Sequence, residues 1–263
     1  MRPTLVLLLT LALALPLAAP ASTLAPNRGK VTRAGAPEAS DTRQFVEANI
    51  VETLYHELAH VLIDVLDLPV FGPEEFAADS FSVVLMNRMH DERTVLRMAR
   101  DVAAVYDANA REAGSSEATL ALWDVHGPDR QRFYNFVCLM FGARPDARRM
   151  FAEGLGLPKE RRKTCEEEYA QADRAWGAVL ERLAAEAPGD ALTMDWMLDA
   201  GNWATRFVAG EVDRLNARMA IPGKVSVSVI PCGESNAFYD SGPREIIICT
   251  EMIAELESMA EHR

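Results

Sequence analysis

The sequence predicts a mainly helical α+β protein with a zincin-like helix pair and a small antiparallel β-hairpin or sheet near its C-terminal end. Three observations predict it. Apolar residues recur at helical spacing over most of residues 41–185. Proline and acidic residues mark several helix starts, as in Gly72-Pro73-Glu74-Glu75. Only after Pro188-Gly189 does a two-residue alternation appear, in Val225, Val227 and Val229.

The elements follow in chain order. Met1-Arg2, the apolar run Leu5 to Leu17 and the small residues Ala19-Pro20-Ala21 predict an export signal over 1–21. Residues 22–40, rich in Ala, Pro, Gly and Thr, are expected to form an extended leader. One domain is expected over 41–263, with a subdivision near 188 as the alternative. Asp41 and Gln44 cap a long helix carrying Phe45, Ile50, Leu54, Leu58, Val61 and Val65, which must stop before Pro69. Further helices are expected from Pro73 through Leu85, over 91–111, 117–124 and 129–141, and after Pro158 to about Ala185. Trp203 to Met219 reads as helix, Val225–Val229 and Glu245–Cys249 as strands, and Met252–Glu261 as a closing helix.

Composition narrows the function. With 27 Lys+Arg against 39 Asp+Glu, the net charge is −12. A chain this acidic is poorly suited to nucleic-acid phosphates or anionic lipid. No segment after the signal is long and apolar enough to span a bilayer. Four cysteines in an exported chain predict two disulfides. Cys138 with Cys165 and Cys232 with Cys249 is the expected pairing out of three, because each closes a modest loop.

The chemistry is concentrated in His56-Glu57-Leu58-Ala59-His60. Two histidines four apart on a helix share a face, so both imidazoles can reach one ion. Glu57 sits beside them and can hold the water that the ion activates. This is the His-Glu-x-x-His arrangement of zinc peptidases. Zinc catalysis needs three protein ligands and one open position. Ile63 and Leu66 stand where a metzincin has Gly and His, so that pattern is rejected. The next helix offers Glu74, Glu75 and Asp79, with Glu75 and Asp79 on one face.

Glu75-x-x-x-Asp79 resembles the third-ligand helix of thermolysin-like gluzincins. That resemblance makes Glu75 the third ligand and Asp79 the partner that orients His56. The turn from His60 is shorter than in thermolysin, which leaves Glu74 and Asp79 as alternative ligands. The wider chain is similar to a bacterial, gluzincin-like family of metallopeptidases of unknown function. The likeness rests on Tyr55 to His60, Leu66-Asp67-Leu68-Pro69, Glu74 to Asp79, Gln131-Arg132 with Tyr134 and Cys138, and Cys232-Gly233 with Asn236-Ala237-Phe238-Tyr239.

A donor to the tetrahedral oxyanion is also required. His126 and Tyr134 lead the candidates, ahead of Arg132, Tyr239 and Arg244. His90, beside Asp91-Glu92, reads as surface. The expected function is an exported or periplasmic zinc metallopeptidase acting on peptide or protein substrates, with Glu57 as general base. The alternatives are a zinc hydrolase of a non-peptide amide or ester and a catalytically inactive metal-binding protein. The C-terminal hairpin is expected beside the metal helix, with Asn236 to Tyr239 bordering the cleft. Nothing in the sequence indicates an oligomeric state.

Overall fold

The computed structural model describes residues 39–114 and 122–263. The expected export signal, nearly all of the leader and most of the short helix expected over 117–124 lie outside them. Residues 122–124 of that segment are in turns.

The long apolar-periodic segment forms α1 (Ala39–Leu66). Phe45, Val46, Ile50, Leu54, Tyr55, Leu58 and Leu62 are all buried. A helix apolar on most of its circumference needs neighbours on every side. They are α2 (Glu74–Met89), α3 (Glu92–Glu112), α7 (Trp203–Arg218), α8 (Thr250–His262) and two strands. α1 ends where Asp67 turns left-handed (φ 48°). Leu68 N–H donates to Ile63 O at 3.0 Å and Asp67 N–H to Asp64 O at 3.3 Å, closing the last carbonyls one residue before Pro69.

α4 (Asp129–Ala143), α5 (Pro145–Gly154) and α6 (Lys159–Ala185) pack outside α2 and α3. Cys138 of α4 and Cys165 of α6 are bonded, as are Cys232 and Cys249, so both expected disulfides form. Where they cross, α4 and α6 touch backbone to backbone. A Cβ on Gly142 would lie 2.0 Å from the carbonyl oxygen of Cys165.

The sheet holds β1 (Leu192–Met197), β2 (Val225–Ile230), β3 (Ala237–Asp240) and β4 (Glu245–Cys249) in the order β1-β2-β4-β3. β1, β2 and β4 are parallel, and only β3 runs antiparallel, to β4. This corrects the expected pairing, in which the strands at Val225 and Glu245 were neighbours in a hairpin. The chain reverses twice between them, because β3 intervenes, so β2 and β4 run the same way. The hairpin that exists is β3–β4, turning through residues 241–244 with Arg244 at φ 58°. Its β3 edge lies against α1. Helices and sheet share one buried core, with no break at residue 188.

Candidate metal centre

The α1–α2 pair brings together the side chains that the sequence singled out. His56 and His60 lie one turn apart on α1, and Glu75 lies in the first turn of α2. His56 Nε2 is 3.0 Å from Glu75 Oε2, His60 Nε2 is 3.5 Å from it, and the two Nε2 atoms are 3.3 Å apart. Tetrahedral ligands held about 2.05 Å from an ion would be about 3.3 Å from one another. The three donor atoms are therefore spaced as three vertices around a single cation, and they are grouped as a candidate metal site.

The opposite nitrogens explain why they converge. His56 Nδ1 is 2.9 Å from Asp79 Oδ1, and His60 Nδ1 is 2.7 Å from Glu74 Oε1. A carboxylate beside Nδ1 favours the proton there and leaves Nε2 for a metal; His60 and Glu74 are aligned as a hydrogen bond, whereas His56 Nδ1 and Asp79 are at ion-pair distance without that alignment. Asp79 is fixed in turn by Arg132 of α4, whose Nε and Nη2 donate to its two oxygens at 3.0 and 2.7 Å. Glu52, one turn before His56, accepts from Ser82 Oγ at 3.0 Å and Tyr106 Oη at 3.2 Å.

The electrostatics follow from this packing. Burial opposes charge on His56, but its close contacts with the carboxylates of Asp79 and Glu75 outweigh burial and lift its pKa to about 10 in the metal-free protein. Burial works against ionisation of Asp79 as well, yet His56 and Arg132 bring its pKa down to about 2. Glu75 is held well below the usual carboxylate range: its burial is outweighed by hydrogen bonds from His126, His56 and His60. Glu57 is raised by burial, opposed mainly by the two histidines. It is 6% exposed, and the nearby backbone of Tyr239 also favours its charged form.

His126 reaches the cluster from the loop before α4. Its Nε2 is 3.0 Å from Glu75 Oε2 and its Nδ1 is 3.1 Å from Asp124 Oδ1. Gly127 follows at φ 70°, and a Cβ there would lie 3.2 Å from the Phe76 ring, so the loop sits close against α2. Tyr134 is not brought to the cluster. It meets Phe133 edge-on at 5.2 Å and borders two other cavities. Two helical residues rotate the direction by about 200°, so α4 aims Arg132 at Asp79 and Tyr134 elsewhere. Tyr239 Oη donates to Asp64 at 2.7 Å, and Arg244 Nε lies 3.6 Å from the same carboxylate. His90 is half-buried against Tyr55 Oη at 3.2 Å, where the sequence suggested a surface residue.

The sequence reading gave no role to Glu52, Ser82, Tyr106, Asp64 or Asp124, and kept Glu74 as an alternative ligand or a helix-end charge, not as a partner of His60 Nδ1. Contacts between helices define these partners, and no local spacing signals them. Glu74 was the exception within reach, since it sits beside Glu75 at the same helix start.

Fold and site together define a mainly helical protein with a candidate three-donor metal site on a helix pair, beside the edge of a small sheet. The family model described as "Putative metallopeptidase" (DUF4344) matches residues 22–180, and the chain belongs to that family. The match contains every residue of the candidate centre and ends before the sheet. No curated protein and no solved structure matches the chain significantly.

Proposed function

We propose that the protein is a zinc-dependent metallopeptidase in which His56, His60 and Glu75 hold the ion and Glu57 is the general base. The observation that carries this reading is the convergence of two Nε2 atoms and one carboxylate oxygen within 3.0–3.5 Å, each imidazole backed by its own carboxylate. Two neutral histidines and one glutamate suit zinc in a hydrolytic site with an open position. The bound ion would supply a Lewis acid for the scissile carbonyl and acidify an attacking water.

The protein's own groups supply the rest. Glu57 takes the proton from the attacking water and passes it to the leaving amine. Its burial raises its proton affinity toward that task. His126, whose contact with Glu75 raises its pKa, stands at the mouth of the site and donates to the developing oxyanion. Asp124 orients its ring. Tyr134 has no part in this reading. The outer edge of β3 offers backbone groups to an extended peptide, since residues 236–239 line the same cleft as His56, Glu57 and His60.

The two disulfides support residence in an oxidising compartment, in keeping with a signal over 1–21. Among the described residues no helix is long and apolar enough to cross a membrane. The acidic charge favours neither nucleic acid nor anionic lipid as a partner. A closed structural metal site would need no base, so the buried Glu57 favours catalysis.

The test is Glu57→Gln in the purified protein. Zinc content by metal analysis should match wild type, while chelator-sensitive cleavage of a mixed peptide library falls by about 10²–10⁴-fold. Wild-type protein that holds no zinc after loading, or a variant that cleaves like wild type, would defeat the proposal.

A further inference from the structure

A cavity of about 520 Å³ opens beside His56 and Glu57 and runs back along α1, between α3 and α8. It is separate from the cleft over His60 and Glu75 but shares His56, Glu57, His126, Asn236 and Ala237 with it. A peptide held along β3 with its carbonyl at the metal centre therefore has one neighbouring side chain facing this cavity. The size is that of a small-ligand site.

Its lining has a definite chemistry. Val102, Val105, Leu256 and Met259 form apolar walls. Glu112, Asp129 and Glu255 stand around it, and none has a cationic partner among the described residues. The basic groups in the lining are Arg132, whose fork is committed to Asp79, and His56 and His126, which both face Glu75. At the inner side lies Glu52, 7% exposed. Both hydrogen bonds it receives fall on Oε1; Oε2 accepts none among the described residues, and the carboxylate lies within 4.8 Å of donor atoms of His56 and Asp79. Glu52 is one helical turn, about 6 Å along the axis, from His56. That is the reach of a long straight side chain with a polar tip.

We propose that this cavity is the specificity pocket of the proposed peptidase and takes a lysine or arginine side chain next to the scissile bond. The apolar walls cover the methylene stem, as such stems pack on apolar surface elsewhere. The cationic head reaches Oε2 of Glu52, and the surrounding carboxylates select against acidic side chains. The inference rests on the metallopeptidase reading for its placement at the scissile bond, but not for the binding itself.

The test uses zinc-loaded full-length protein and two capped tripeptides that differ only in a central arginine or its neutral isostere citrulline. Calorimetry should give at least tenfold tighter binding of the arginine peptide. Glu52→Gln should reduce that ratio toward one, and so should Glu255→Lys, which lies on the exposed face of α8 and avoids the buried network. Mass-spectrometric mapping of cleavage in a peptide library should place Lys or Arg at one fixed position beside the cut.

Preferential binding without cleavage would support the pocket and overturn the peptidase reading. Cleavage with no preference for basic residues, or equal binding of the two peptides, would overturn the pocket and leave the peptidase reading standing. No binding and no cleavage would overturn both.

Discussion

Asp79→Asn separates orientation of the metal centre from support of the fold. Asp79 and Arg132 are 16% and 17% exposed at their side chains, and two hydrogen bonds join them. Amidation leaves Arg132 largely out of water without its main counter-charge. Breaking a buried pair from one side costs about 3–5 kcal/mol. The asparagine oxygen still accepts one N–H and Glu52 lies nearby, so the expected cost is the lower figure, about 3 kcal/mol. For a domain of this size that lowers Tm by about 6–12 °C.

The second effect is on the metal. His56 loses the carboxylate on Nδ1, and such losses cost about 10–100-fold in affinity, or about 1.4–2.7 kcal/mol. Urea unfolding of metal-stripped protein reads the first effect, and chelator competition for zinc reads the second. Adding Arg132→Met should restore much of the stability, because both partners of the pair are then gone, without restoring zinc affinity. A folded Asp79→Asn protein that binds zinc within twofold of wild type would refute the orienting role.

Three other outcomes are expected. Gly142→Ala should destabilise by about 3 kcal/mol, since its Cβ would fall 2.0 Å from the Cys165 carbonyl and α4 must move off α6; an unchanged urea midpoint would contradict that packing. Replacing Cys138 and Cys165, separated by 27 residues, should cost about 3.5 kcal/mol from loop entropy, and replacing Cys232 and Cys249, separated by 17, about 3 kcal/mol; denaturation of each double variant decides. In metal-free protein, His56 has its pKa raised from 6.5 to about 10, so its stabilisation is complete below pH 6.5 and fades as pH rises toward 10. The stability difference between wild type and His56→Gln should shrink over that window, and a difference that grows would reverse the sign of the argument.

The helical part was legible because its signals are local. Apolar spacing marked α1, and Pro73 with two glutamates marked α2. His56, Glu57 and His60 were legible for the same reason, since a four-residue spacing on a helix is geometry in itself. Three elements carried no such signal. β1 reads Leu-Thr-Met-Asp-Trp-Met and buries only its first residue fully, so no alternation appears. β3 is four residues long, too short for a period. α5 begins at Pro145, a recognisable start, but covers ten residues behind α4. Missing β3 led directly to the wrong relative direction for β2 and β4, which do pair but run parallel. The acids behind the histidines, and the direction in which Tyr134 points, depend on how helices distant in sequence come together.

The contact between Tyr239 and Asp64 joins residues 175 positions apart. During synthesis, the segment carrying all three donor atoms leaves the ribosome long before β3 and α8 exist. The three candidate donor atoms are thus made well before the strand that borders Glu57 and the far wall of the cavity are translated.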